Sequence, residues 1–322
     1  DPPSLRPSAS AMRVGTPKVS LFNAYMSLSG AYDAEVIREE KLSHRTTYRI
    51  GGPADLFVCV HSYPALKRTL EVLAREDIEW VILGKGSNVL VSDAGYRGCV
   101  IELGREFSRL VFFDDGQVTV GAGVLLPKLV RETLSHSLSG IEFCMGIPGT
   151  VGGAISMDAG SRHHWIGHYV QSVVIANAAG SLRRLSADEI EWGYRWCSID
   201  PAAIILEVDL LLKPGSKDAI AAEMNRRTSQ RRRAQPLGLP SCGSVFRNPP
   251  DGSAAKMIER CGLKGRSVGG AQISKMHANF IVNAGGATAA DVVALMREVH
   301  EAVQERFGVD LSCEVKFLGF GA

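Results

Sequence analysis

No apolar run in the 322-residue chain approaches the ~18 residues that a membrane-spanning helix needs. The longest candidate, Ala202 to Leu212, is broken by Glu207 and Asp209, so no membrane insertion is expected. An excess of one charge sign is missing too. The chain has 36 Lys and Arg against 34 Asp and Glu, a net of +2, which argues against a broad nucleic-acid surface. The sequence contains no CxxC. Its seven cysteines, at 59, 99, 144, 197, 242, 261 and 313, are odd in number and widely spaced. That pattern excludes a disulfide frame and a zinc ribbon, and points to reduced thiols in a cytosol-like compartment. His163, His164 and His168 are the only histidine cluster, without a nearby Cys or carboxylate pair, so no metal is expected. There is no GxxxxGK[ST], no complete GxGxxG and no GxSxG around Ser244, which leaves a P-loop, a dinucleotide fingerprint and an acyl-enzyme role for Ser244 unsupported.

What is present describes a folded chain. Apolar residues are 45% and charged residues 22%, the balance of a globular protein. At roughly 150 residues per domain, two domains or three small ones are expected. The first 20 residues are rich in Pro and Ser, with Arg6, Arg13 and Lys18 and only Asp1 acidic. They read as flexible, and they lack the apolar stretch of a secretory signal. A transit-peptide remnant, an upstream start and an added tail would share that composition. Residues 21–40 are expected to add a helix.

From Asp55 the pattern alternates. Asp55–Val60 reads as a strand, Pro64–Glu76 as a helix with Leu66, Leu70 and Leu73 on one face, and Glu79–Leu83 as a strand. Arg109–Phe113 and Gln117–Gly121 flank Asp114-Asp115-Gly116, a hairpin signal. Pro127–Leu138 reads as a helix. Val170–Ala176, Ser181–Leu185 and Ala203–Leu212 read as strands, with a Ser186/Glu189 capping box after the second. A helix over Asp218–Arg233 ends at the punctuation Pro236, Gly238, Pro240. Beyond lie a helix over Ser253–Arg260, a strand over Asn279–Asn283, and a long helix capped by Thr288 and stopped by Gly308. A last strand is expected over Val309–Leu318. The class is α+β, strand-rich at first, with a smaller α/β part after it.

Two glycine-rich segments carry most of the chemistry. Gly84-Lys85-Gly86-Ser87-Asn88-Val89-Leu90 follows a strand. Its glycines allow positive φ and close approach of backbone N–H groups to an anion, and Ser87 and Asn88 add donors. Gly146-Ile147-Pro148-Gly149-Thr150-Val151-Gly152-Gly153-Ala154 is the second. Either alone is most simply a tight turn, but the pair could hold a pyrophosphate from two sides. The basic run Arg226, Arg227, Arg231, Arg232, Arg233 is a solvated helix face or an anion-facing patch near a phosphorylated ligand. A third concentration is Pro240-Ser-Cys-Gly243-Ser244-Val-Phe-Arg-Asn248-Pro249. Its Ser244 lacks an elbow, but a hydroxyl that only donates a proton needs none.

Read in order, Tyr48-Arg-Ile-Gly-Gly-Pro-Ala-Asp55, Gly84–Asn88 with Val91-Ser-Asp93, Gly146–Gly153, Tyr194-Arg195, Pro240–Asn248 and Leu311-Ser-Cys-Glu314-Val resemble the UDP-N-acetylenolpyruvoylglucosamine reductase (MurB) family. The likeness runs from about Leu42 to Gly319. It implies an FAD-binding fold of the vanillyl-alcohol-oxidase type plus a smaller substrate domain. The boundaries expected on that basis are an N-terminal extension over 1–40, an FAD-binding region of two subdomains over 41–225 with 309–322 returning to it, and a substrate domain over 226–308.

The resemblance also implies a reaction. FAD sits on the two glycine loops, NADPH gives a hydride to the flavin, and the flavin passes it to C3 of the enolpyruvyl group of a UDP-sugar. Ser244 matches the proton donor to C2, and Arg195 with Glu314 the pair that polarises the carboxylate. Asn248 matches a substrate-binding position; Gly243 beside Ser244, His277 and Arg233 are further expected substrate contacts. A monomer in the bacterial cytoplasm is expected, with the plastid stroma as an alternative. Each residue also has a plainer reading. Arg195 could stack between Tyr194 and Trp196, and Glu314 falls on the outward phase of Asp310, Ser312, Glu314 and Lys316. His277 could be a turn-edge hydrogen bonder.

Departures are visible. No long Tyr-bearing insertion follows Leu212, so the chain resembles the shorter branch, whose substrate cover must come from elsewhere. Trp196-Cys197 replaces a commonly small or acidic position, and Met157-Asp158 a common Met-Asn. The rival readings are a sugar or alcohol oxidase of the same fold and a non-catalytic nucleotide-sugar-binding protein.

Overall fold

The computed structural model describes residues 18–30, 32–161 and 163–321. Helix α1 (Lys18–Leu28) buries Ala24 and Leu28. Helix α2 (Tyr63–Arg75) starts where Ser62 accepts from the Ala65 N–H, and Pro64 fits its first turn. Leu66, Leu70 and Leu73, three and four residues apart, are all buried on its inner face. Both helices pack on a four-stranded sheet in the order Ala34–Lys41, Pro53–Val60, Tyr96–Leu103, Trp80–Ile82. The first pair is antiparallel and the others parallel. Pro53–Val60 is apolar on both faces because Leu42, Val91 and Val100 cover its far side.

The second sheet is antiparallel, in the order Leu182–Ser186, Val170–Ala176, Ile204–Leu211, Gln117–Gly121, Leu110–Phe112. One face carries Val118, Val120, Val208 and Leu210 against helices α3 (Leu126–Ser135), α4 (Val151–Ser156) and α5 (Lys217–Ala234). The other face holds Asp209, which accepts from Thr119 and Ser172 at 2.6 Å each and from Arg184. The third unit contains α6 (Ala254–Arg260), a small antiparallel sheet (Ser267–Val268, Ala271–Ile273, Ile281–Asn283) and α7 (Ala289–Phe307). Thr288 and Asp291 form the capping box of α7, and Gly308 ends it at φ +66°.

The third unit is tied to the first at several points. Asp93 accepts from the Ala289 N–H at 2.8 Å and the Ala290 N–H at 3.0 Å, a second cap on α7. The Tyr48 hydroxyl donates to the Ile281 carbonyl at 2.7 Å, and Thr47 donates to Ser241 at 2.8 Å. Lys316–Leu318 pairs in parallel with Val89–Val91.

Three expectations differ from the structure. Residues 34–41 form a sheet edge and α1 joins the first core, so residues 18–40 are built into the first unit. A boundary after 225 would cut α5, which is continuous to Ala234 and buries Ile220 and Met224 in the second core; the break in the chain falls at Gln235–Pro240. The last strand is only Lys316–Leu318, because residues 309–315 follow an irregular path with a single bridge, Phe246 to Cys313. The segment that raised the plastid alternative, residues 1–17, lies outside the described residues.

Candidate active site

The two glycine loops meet. Ser87 donates to the Pro148 carbonyl at 3.0 Å. A Cβ on Gly84 would stand 2.6 Å from the Thr150 hydroxyl oxygen, so only glycine permits this approach. Gly86 (φ +62°) is held by Thr47, whose N–H donates to its carbonyl at 3.2 Å. In the second loop Thr150 caps α4 by accepting from Gly153 at 3.3 Å, Gly149 accepts from Leu126, and Gly152 packs on Ala122. Ile147 and Ala154 support the loop from within, while Val89 and Leu90 anchor the first loop in the core. Among the described residues, the N–H groups of Lys85, Gly86, Ser87, Asn88, Gly149 and Thr150 have no acceptor in the protein. Two touching loops with free amides and an exposed Lys85 fit a diphosphate.

A second cluster lies beside the loops. Tyr194 and Arg195 form the tip of a hairpin in which Trp192 pairs with Cys197. Arg195 has φ +59°, an unusual conformation for a side-chain-bearing residue and a mark of local strain. Its Nε donates to Glu314 Oε1 at 2.6 Å and its NH1 to the Gly160 carbonyl at 3.2 Å. Glu314 is 13% exposed at its side chain, so the plainer reading of an exposed strand position does not describe it. The irregular path of residues 309–315 breaks the alternation and turns the carboxylate inward. Asn88 donates to the Glu314 carbonyl at 3.1 Å, linking this cluster to the first glycine loop.

Ser244 is half-buried between buried Cys242 and Val245. Its segment lies along that of Glu314, whose N–H donates to the Val245 carbonyl at 2.8 Å. Gly243, at φ +78°, leaves open space where a Cβ would stand. Asn248 receives the Ala254 N–H at 3.0 Å, and its own N–H reaches the Tyr194 hydroxyl at 3.4 Å. Asn279, which no sequence signal marked, grips the segment: it exchanges hydrogen bonds with Phe246 at 3.0 and 2.8 Å. His277 shapes the neighbouring turn. Its Nδ1 accepts from Asn279 N–H at 3.2 Å, and burial pushes its pKa down. The turn-edge reading therefore describes its visible contacts.

Arg233 is exposed near the end of α5 and is not brought to the cluster. Two helix positions earlier, and so on the opposite side, Arg231 is half-buried and donates to the Gly146 carbonyl at 2.9 Å. The basic run thus contributes through Arg231. Asp158, 5% exposed, completes the surroundings: its Oδ1 accepts from Gly167 N–H at 3.0 Å.

Comparison with known proteins follows the same division. Residues 54–186 match the model of an FAD binding domain. Residues 235–318 match the C-terminal domain of UDP-N-acetylenolpyruvoylglucosamine reductase. The chain is 42% identical to the UDP-N-acetylenolpyruvoylglucosamine reductase of Anoxybacillus flavithermus, over 88% of this chain and 94% of that protein. It is 44% identical to UDP-N-acetylenolpyruvoylglucosamine reductase 2 of Symbiobacterium thermophilum, over 88% and 92%. The crystal structure of the enzyme of that name from Thermus caldophilus superposes with a TM-score of 0.76 at 37% identity, covering 88% of this chain and 98% of that one.

Proposed function

The chain belongs to the UDP-N-acetylenolpyruvoylglucosamine reductase family, and we propose that it reduces UDP-N-acetylglucosamine enolpyruvate to UDP-N-acetylmuramate for peptidoglycan precursor synthesis. FAD is its cofactor and NADPH its reductant. One observation carries the assignment of roles: Glu314 binds Arg195 through its side chain and the Ser244 segment through its backbone. This supports Glu314, Arg195 and the Ser244 segment working together beside the first glycine loop.

Bound FAD supplies the two-electron relay between nicotinamide and the vinyl ether carbon. The loop amides around Gly86 and Thr150 would hold its diphosphate. Arg195, fixed at Nε by Glu314 and at NH1 by Gly160, keeps NH2 for the substrate carboxylate. A hydride arriving at C3 pushes electron density toward C2 and that carboxylate, where the guanidinium offsets it. The Ser244 hydroxyl then delivers one proton to C2. Serine is a weak acid, so the basicity of the developing carbanion drives the transfer. Asn248 and the Gly243 turn line the substrate side. The unpaired, mostly buried cysteines support a reducing, cytoplasmic setting. No helix among the described residues is long and apolar enough to cross a membrane.

A Ser244→Ala variant tests the reading. In stopped-flow, NADPH should bleach the flavin at the parent rate, while reoxidation by the enolpyruvyl substrate should slow by a large factor. Turnover equal to the parent removes Ser244 from the mechanism, and a flavin that NADPH does not bleach overturns the whole assignment.

A further inference from the structure

Among the described residues, the arginines shielded from full exposure are Arg45, Arg195, Arg227, Arg231 and Arg247. The first four each have an acceptor. Arg45 donates to Glu40 at 2.8 Å, Arg195 to Glu314 at 2.6 Å, Arg227 to Glu223 at 2.6 Å and Arg231 to the Gly146 carbonyl at 2.9 Å. Arg247 is different. Its Nε is buried and makes no hydrogen bond, and no carboxylate among the described residues pairs with its guanidinium. A guanidinium carries five N–H donors and a permanent charge. Shielding such a donor without an acceptor costs free energy, and a ligand that brings an acceptor recovers that cost.

The backbone places this side chain among the residues of the reaction. Arg247 lies three residues after Ser244 and directly before Asn248. Its N–H donates to the Ser312 carbonyl at 2.9 Å, and the Glu314 N–H donates to the Val245 carbonyl at 2.8 Å, on either side of the antiparallel bridge from Phe246 to Cys313. Arg247 and Glu314 are therefore diagonal neighbours on one face of that pairing, a separation that long side chains can span. Glu314, however, is bonded to Arg195, and Asp310 on the same path is bonded to His300. Lys316, two residues beyond Glu314, adds positive charge and offers no acceptor. On the other flank, the Asn248 N–H reaches the Tyr194 hydroxyl at 3.4 Å, at the tip of the Arg195 hairpin.

We propose, resting on the reaction assigned above, that Arg247 binds a phosphate oxyanion of the nucleotide ligands that enter this site, as a binding residue and not a catalytic one. Two ligands of that reaction carry phosphate: the nucleotide sugar and NADPH. The substrate carboxylate already has Arg195. The planar fork of a guanidinium matches two phosphate oxygens, and such bonds are shorter and stronger than those between neutral groups. Three residues of extended chain advance about 10 Å, so Arg247 addresses a part of the ligand away from C2. In the nucleotide sugar that part is the diphosphate, attached at a different ring carbon from the enolpyruvyl ether. A contact made there is equal before and during hydride transfer. It strengthens binding and leaves the rate at saturation alone.

The test compares the FAD-loaded parent with Arg247→Gln. The flavin absorbance change on the oxidised enzyme gives Kd for UDP-N-acetylglucosamine enolpyruvate. The concentration dependence of flavin bleaching in stopped-flow gives Kd for NADPH. Loss of the charge-assisted contact should weaken one or both by about tenfold to a hundredfold. Weakening for the nucleotide sugar assigns the contact to its diphosphate, and competition by UDP, which lacks the carboxylate, should then lose the same factor. Weakening for NADPH assigns it to a phosphate of that cofactor. The rate of flavin reoxidation at saturating substrate should be unchanged. Arg247→Lys keeps the charge without the fork and should recover part of the affinity. It also carries the comparison if Arg247→Gln loses its flavin. A side chain that only packs would lower the thermal midpoint and leave both Kd values alone, which overturns the proposal. A slower saturated reoxidation with unchanged Kd places the guanidinium at the reacting carboxylate and also overturns it. A parent that neither binds nor is reoxidised by the enolpyruvyl sugar overturns the substrate reading itself, and this inference with it.

Discussion

Arg195 Nε and Glu314 Oε1 lie 2.6 Å apart although 119 residues separate them in sequence. Both side chains are mostly buried, with 22% and 13% of their surface exposed. Truncating one partner of such a pair leaves the other charge poorly solvated. Glu314→Gln retains an acceptor but removes the charge that fixes the guanidinium. Reoxidation of the reduced flavin by substrate should slow by about 10²-fold or more, with flavin reduction by NADPH unchanged. Single-turnover measurement of the two half-reactions checks this; equal slowing of both would assign Glu314 to the flavin site instead.

The loops make a steric prediction. Gly84→Val places branched carbon atoms where a single Cβ already stands 2.6 Å from the Thr150 oxygen. The loops must separate, and the purified variant should carry substantially less FAD. The ratio of flavin to protein absorbance measures it, and a fully loaded variant would contradict the two-sided cradle.

Asp93 supplies two acceptors to the start of α7. Asp93→Ala should cost about 1–2 kcal/mol, the range for a lost N-cap with its favourable charge at the helix start. Thermal or urea unfolding reads the loss. Because the Thr288 and Asp291 capping box remains, the helix should persist.

Asp209 sets an acid limit on stability. Burial pushes its carboxyl up, but hydrogen bonds from Ser172 and Thr119, together with the Arg184 guanidinium, outweigh this and leave it below the ordinary carboxylate value. Its contribution is therefore fully present above the unfolded-state pKa of ~3.9 and is lost as pH falls through the lower folded value. Asp209→Asn should destabilise by about 1–3 kcal/mol at neutral pH. The gap between variant and parent should close in acid. Urea midpoints at several pH values would show a constant gap if the ionised form contributed nothing.

Much of the architecture was legible locally. The leucine face of α2, the Thr288 cap and Gly308 stop of α7, the Asp114-Asp115-Gly116 hairpin and the Ser186 capping box are short-range patterns, and each appears where its chemistry puts it. The strand Ala34–Lys41 was hidden because it is a charged sheet edge, half exposed, with Glu39 at φ +54° interrupting its alternation. The inward turn of Glu314 was hidden because it depends on Asn88 and Val245, contacts that no local spacing encodes. The contact of Arg231 with the second glycine loop depends on the phase of its helix, which only packing of α5 against the second core fixes. Asn279 carried no signal at all: an asparagine whose work is to hold two backbone groups of a distant segment resembles any loop asparagine.

The bond from Asn88 to Glu314 spans 226 residues, and the neighbouring strands, Val89–Val91 and Lys316–Leu318, run side by side over a comparable separation. Contacts of such long range bear a large loop-closure cost and are expected to consolidate late in folding. The first sheet and α2, built from nearer neighbours, can form beforehand, whereas the bed for the diphosphate and the seat of Arg195 come to completion together. Maturation of this chain should therefore show an interval in which most helix and strand is in place and the flavin does not yet stay bound.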